Sequence, residues 1–215
     1  MMNNLFSIFD PCTGSMSMNW LSTFTFLIIL PYKFWMSNNK ISMSFNLLIN
    51  TLNKEMTMLM KYKGTIIIMI SIFMLILINN MMGLMPYVFT SSAHLVFSLA
   101  MALPMWSSMM MFGWTKKTKM MFCHLVPSGT PSILMPFMVM IETISNIIRP
   151  GSLAVRLTAN MIAGHLLMSL MGDNPSLKTS LILIMFMMLM MFEMAVAIIQ
   201  SYVFMTLTTL YSSEI

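Results

Sequence analysis

Five ionisable side chains fall inside the last two long apolar stretches of this sequence: Glu142, Arg149, Arg156, His165 and Glu193, with Asn160 and Gln200 as polar company. A charge in the middle of a hydrocarbon layer costs roughly 3 kcal/mol or more, and such residues tend to mark ion or proton pathways. The competing reading is structural: a buried ion pair, or a side chain reaching back to the interface. Residue type divides the work. Glutamate and histidine take up and release protons, while asparagine and glutamine order water. Arginine relays nothing, because its guanidinium stays protonated in proteins. A fixed cation between two sets of proton carriers repels a migrating proton and attracts a carboxylate brought past it. The set predicts a proton path with a barrier in its middle.

Helical spacing sorts these groups further. At about 100° per residue, Glu142, Arg149 and Arg156 lie within about 40° of one another, provided a break at Pro150-Gly151 does not rotate the helix. Asn160 stays near that stripe, and His165 falls on nearly the opposite face. Glu193 and Gln200, seven residues apart, share a face. A hairpin folded symmetrically about Asn174 puts Glu193 opposite Val155, leaving His165 about 15 Å away along the helix. Either the turn is asymmetric or the path between the two is long.

The elements that carry these residues must be membrane helices. Of 215 residues, 58% are hydrophobic and only 8% charged, against about 25% charged in soluble domains. The expected fold is an all-α polytopic membrane protein, one domain over residues 1–215. About five spans are expected, with one amphipathic surface helix. Spans cover 18–36, 65–85 and 95–114, and the surface helix covers 40–63, where Ile41, Phe45, Leu48, Leu52, Leu59 and Met60 recur at helical spacing. Long helices at 132–171 and 176–213 form a hairpin, its turn capped by Asn174 or Ser176. A helix of such length extends roughly 55 Å, so both must tilt strongly across a layer of about 30 Å.

Charge sets the orientation. Lys33, Lys40, Lys54, Lys61, Lys63, Lys116, Lys117 and Lys119 fall on one side of this arrangement and only Lys178 on the other. The lysine-rich side is the inner one, so the amino terminus lies outside and the carboxyl terminus inside. The net charge of +5 comes from lysines flanking apolar segments, a pattern unlike a nucleic-acid interface. Nothing basic precedes Lys33, so no cleavable targeting segment is expected. Cys12 and Cys123 match no metal or redox spacing. The 34 methionines replace Leu and Ile throughout, which a flexible apolar side chain tolerates. His94 and His124 read as surface residues. No nucleotide-binding or nucleophile motif is present, and no cofactor is expected.

The run Leu153-Ala-Val-Arg156-Leu-Thr-Ala-Asn160-Met-Ile-Ala-Gly164-His165 closely resembles subunit a of F-type ATP synthases, in the animal mitochondrial form. The likeness continues through Ile141-Glu142-Thr-Ile-Ser-Asn146, His124-Leu-Val-Pro127 with Gly129-Thr-Pro131, Gln200-Ser-Tyr-Val-Phe204 and the opening Asn4-Leu-Phe-Ser-Ile-Phe-Asp10-Pro11. It spans essentially the whole chain. The resemblance implies a non-catalytic, proton-conducting stator in the mitochondrial inner membrane, its amino terminus in the intermembrane space and its carboxyl terminus in the matrix. Its expected partners are the rotating c-ring, peripheral-stalk and small accessory membrane subunits, and lipid. By resemblance, Arg156 is the barrier facing ring carboxylates. His165 and Glu193 match the inlet half-channel and Glu142 the outlet, with Asn160 and Gln200 near the arginine. Glu214 is the counterpart of a carboxylate near the family's carboxyl terminus; Arg149 lies outside the core motif and its role stays open. Two other functions compete: a proton-translocating subunit of a respiratory complex, or a non-conducting membrane scaffold.

Overall fold

The computed structural model describes residues 5–12, 16–32, 37, 39–60, 63–126, 130–172 and 179–214. Among these the regular elements are all helical: α1 (Thr25–Ile29), α2 (Lys40–Leu59), α3 (Lys63–Gly83), α4 (Leu95–Lys116), α5 (Thr118–Leu125), α6 (Met135–Gly172) and α7 (Thr179–Glu214), with short 3₁₀ turns at Leu5–Phe9, Met18–Phe24 and Ser91–Ala93. Four helices, α3, α4, α6 and α7, are long and apolar enough to cross a membrane, and Met18–Ile29 is a shorter apolar stretch. The chain is an all-α, multi-pass membrane protein. The turn at 173–178 with its expected cap, the lysines at 33, 61 and 178, and the side chain of Glu214 lie outside the described residues.

Several elements differ from their sequence-based expectation for physical reasons. The first apolar helix ends at Ile29, because Pro31 disfavours the helical conformation in the residue before it; residues 33–36 of that expected span lie outside the described part. The lysine-bearing connection after α4 coils into the short helix α5. Helix α6 runs unbroken through Pro150. Proline there removes one helical hydrogen bond, but Pro150 is itself buried in the bundle, and packing offsets the local cost of about 3 kcal/mol. With 38 residues in α6 and 36 in α7, the two extend roughly 57 and 54 Å, so both tilt or project.

Helix α2 keeps half of the expected stripe: Phe45, Leu52 and Met60 turn inward, whereas Ile41, Leu48 and Leu59 do not. Phe45, Ile49, Leu52, Met56 and Met60 turn inward onto Ile66, Met69, Ile70 and Phe73 of α3 and Met205 of α7. Ile41 and Leu59 remain exposed. Tyr202 of α7 donates a hydrogen bond to the Glu55 carboxylate of α2 at 3.2 Å, tying the two together. A second cluster joins Ile76 of α3, Ala102 of α4, Leu153, Ala154 and Leu157 of α6, and Phe204 of α7. Small residues recur at these contacts, among them Ala102, Ala154 and Ser201, each almost fully buried. Membrane helices associate through close packing rather than the hydrophobic effect, and small side chains permit it.

Candidate functional site: two cavities on opposite sides of a dry layer

Helix α6 buries one face and shows the other. Pro150, Leu153, Ala154, Leu157, Thr158, Met161 and Gly164 repeat every three or four residues and pack inward. On the other face, Ile148, Ser152, Val155, Arg156, Ala159 and Ala163 are exposed. Arg156 is the only charged side chain in that exposed group. The same helix thus carries a dry packed layer inside and a cation outside, at one level.

The hairpin register follows from two contacts. Asn160 donates its side-chain amide to the Gln200 side-chain oxygen at 3.0 Å. Glu193, 5% exposed, lies against Gly164 so closely that a Cβ there would collide with its carboxyl group. Symmetric folding about Asn174 is therefore not what occurs. Glu193 meets α6 nine residues beyond Val155, at the level of His165. The interval between the two contacts is four residues on α6 and seven on α7, so the helices cross obliquely. The missing Cβ of Gly164 supplies the notch. Arg156 lies about 12 Å from Gly164, toward the amino-terminal end of α6.

His165 opens onto a cavity of about 730 Å³ lined by Asp10, Asn19, Tyr87, Thr90 and Met190 among others. Phe9 meets the imidazole edge-on, ring centroids 6.2 Å apart. Of the residues lining this cavity, Thr90 Oγ1 and His165 Nε2 are buried with no hydrogen-bond partner among the described residues, and the same holds for side-chain atoms of Asn80 and Ser92. Buried polar groups left without protein partners are characteristically satisfied by water.

Toward the other end of α6, Glu142 forms an ion pair with Arg149 at 3.7 Å. The Arg149 guanidinium also sits 4.9 Å from the centre of the Tyr211 ring. These groups line a cavity of about 160 Å³ together with His124, Asn146 and Trp106. A further void of about 10 Å³ continues from Arg149 and Tyr211 toward Leu153 and Thr208. Between the two cavities lies the layer of Ile76, Leu153, Ala154, Leu157 and Phe204, each no more than 5% exposed. Two cavities, each holding titratable side chains, thus approach one dry layer from opposite ends of the bundle.

A model of the ATP synthase A chain family matches residues 15–213. The chain belongs to that family. Curated relatives named ATP synthase subunit a, from Anopheles quadrimaculatus, Locusta migratoria and Drosophila melanogaster, are each 54% identical over the full length of both chains. Within this member of the subunit a family, the structure brings forward residues that spacing alone did not single out. His124 is exposed, as expected of a surface residue, and also lines the Glu142 cavity. His94 is half-buried, stacked on Phe89 and tilted against Trp20, both with centroids 5.2 Å away. Asn80 was legible as an amide pair with Asn79 inside an otherwise apolar helix. Tyr211 carried no such signal, and Gly164 and the amino-terminal segment stood out only within the runs that carry the resemblance.

Proposed function

We propose that the two cavities are the offset half-channels of one proton path, with Arg156 as the barrier between them. As a member of the subunit a family, the chain is the proton-translocating subunit of an F0 sector and works in a complex with other F0 subunits. Family membership leaves the respiratory-complex and scaffold readings without support. The observation that carries the half-channel reading is the dry layer at the level of an outward-facing arginine, with a cavity holding titratable side chains on either side.

The proposed sequence is as follows. Protons enter the His165 cavity from the intermembrane space and pass by way of His165 and Glu193 toward the Asn160–Gln200 amide pair. They neutralise a carboxylate on the c-ring, which faces the exposed side of α6. After nearly a full rotation the carboxylate reaches the Glu142 cavity, and its proton leaves toward the matrix through Glu142 and His124. Arg156 cannot take the proton up, so no hop along the chain short-circuits rotation. Its charge favours the ionised ring carboxylate and so drives release. Peripheral-stalk and small accessory subunits and lipid cover the remaining apolar surface. No bond of a nucleotide is made or broken in this subunit. The lysine bias supports an amino terminus in the intermembrane space of the mitochondrial inner membrane.

The decisive experiment uses the assembled complex in vesicles. With Arg156→Ala, proton-driven ATP synthesis should fall at least about 100-fold, the scale at which removing one preorganised charge acts. Normal coupled synthesis in that variant would refute the role.

A further inference from the structure

The amino-terminal segment places a carboxylate at the mouth of the His165 cavity. Phe9 seats the segment on the imidazole, and the next residue, Asp10, lines the cavity while remaining exposed to solvent. Two hydrogen bonds hold it there: its carboxylate accepts the Cys12 backbone N–H at 3.0 Å, and its backbone carbonyl accepts the Asn19 amide at 3.4 Å. The titratable groups lining the cavity are Asp10 and Cys12 from this segment, Tyr87 from the connection between α3 and α4, and His165 from α6. Phe186 and Met190, from α7, bring no charge, and no lysine or arginine lines the cavity among the described residues. The field of the carboxylate reaches its neighbour: hydrogen bonding to Asp10, then its charge, raises the Cys12 thiol above its ordinary value.

We infer that Asp10 is the proton-collecting carboxylate of this cavity. It draws protons to the mouth, binds one, passes it through water to the imidazole of His165 and returns to the ionised form. Single-signed charge in a cleft with low-dielectric walls raises the local concentration of the opposite ion and its rate of arrival, an effect that salt weakens. The inference rests on the reading of this cavity as the inlet.

The test is the rate of ATP synthesis by the whole complex in vesicles, with pH and salt varied on the inlet side. Asp10→Asn keeps the hydrogen-bond acceptor and removes the charge. At low salt and alkaline inlet pH its rate should fall about three- to tenfold, with the deficit closing at acidic inlet pH or high salt, while Asp10→Glu stays near wild type. Alkylation of Cys12 should accelerate in Asp10→Asn, because a lower thiol pKa leaves more thiolate at a given pH. A wild-type pH and salt profile in Asp10→Asn, or a loss equal at every pH and salt, overturns the inference. Should that variant fail to assemble, Asp10→Ser, which also offers the Cys12 N–H an uncharged acceptor, takes its place and is read by the same pH and salt profile; a wild-type profile there overturns the inference too. Arg156→Ala run in parallel separates the two readings. Retained synthesis there sinks the half-channel reading, whereas an inactive Arg156→Ala beside an unaltered Asp10→Asn sinks only this one.

Discussion

The cavity around Glu142 and the cavity around His165 flank the same helix, yet they are built in opposite ways. The first is small, about 160 Å³, enclosed by side chains from α4, α5, α6 and α7, and its carboxylate is already paired with Arg149. The second is wide, about 730 Å³, and much of its wall is irregular backbone from the amino-terminal segment and the connection between α3 and α4. Its nearest buried carboxyl, Glu193, rests on a glycine instead of a cation. Irregular backbone at membrane depth is tolerated where it lines water, so the wide cavity needs few charges to stay hydrated. A helix-walled cavity has no such backbone and must hold its polar side chains in pairs. On the half-channel reading proposed above, the difference teaches that a mouth which gathers protons and an exit which directs them face different demands.

The sharpest way to break this comparison is to neutralise each carboxylate in turn. Glu193 is 5% exposed and Glu142 about a third exposed at its side chain. Water can stand in for a half-exposed relay but not for a buried one. Glu193→Gln should therefore slow proton-driven synthesis about 100-fold, the lower range for loss of a positioned proton carrier. Glu142→Gln, with His124 in the same cavity, should slow it about tenfold or less. Rates of proton-driven ATP synthesis in vesicles would read both. Equal losses would mean that burial does not separate the two sides.

A smaller effect is expected from the notch in α6. A methyl group at residue 164 would occupy the space of the Glu193 carboxyl, and because that carboxyl ends a flexible side chain, the helix pair need not separate. Gly164→Ala should slow synthesis about tenfold, while the complex assembles normally. Shortening the displaced side chain should relieve the clash, so Gly164→Ala with Glu193→Asp should be faster than the two single effects multiplied together. A double-mutant cycle measures that coupling. Additive losses would mean that the two residues do not share the space.

Much of this arrangement was legible in the sequence, and the failures share one cause. Long apolar runs declared α3, α4, α6 and α7, and the seven-residue interval from Glu142 to Arg149 correctly implied one face, now seen as an ion pair. Those readings depend on geometry within a single helix. The register of α7 on α6 depends on a space between two helices, created by Gly164, and a symmetric fold could not anticipate it. The stripe of α2 was right for Phe45, Leu52 and Met60 and missed Ile49 and Met56, since α3 and α7 choose among several apolar faces. His124 and Asp10 reach their cavities through connections whose path no periodicity encodes.

The smallest predicted effect concerns Arg149, which lies one α6 heptad from Arg156 and carries the same charge. Its ion pair with Glu142 is about a third exposed on both sides, which limits it to about 1 kcal/mol or less. Its position over Tyr211 adds about 0.5–1 kcal/mol. Arg149→Gln should therefore destabilise the complex by only about 1–2 kcal/mol, seen as faster thermal inactivation, and should leave coupling intact. Arg149→Lys should recover part of the ion pair but less of the aromatic contact, because a planar guanidinium stacks where an ammonium does not. A cation already satisfied by a carboxylate and a ring cannot also serve an arriving ring carboxylate without giving up one of them. Arg156, exposed on the outward face, is under no such constraint. If Arg149→Gln uncoupled the complex as fully as Arg156→Ala, the distinction between a paired arginine that shapes the exit and an exposed one that guards the path would have to be abandoned.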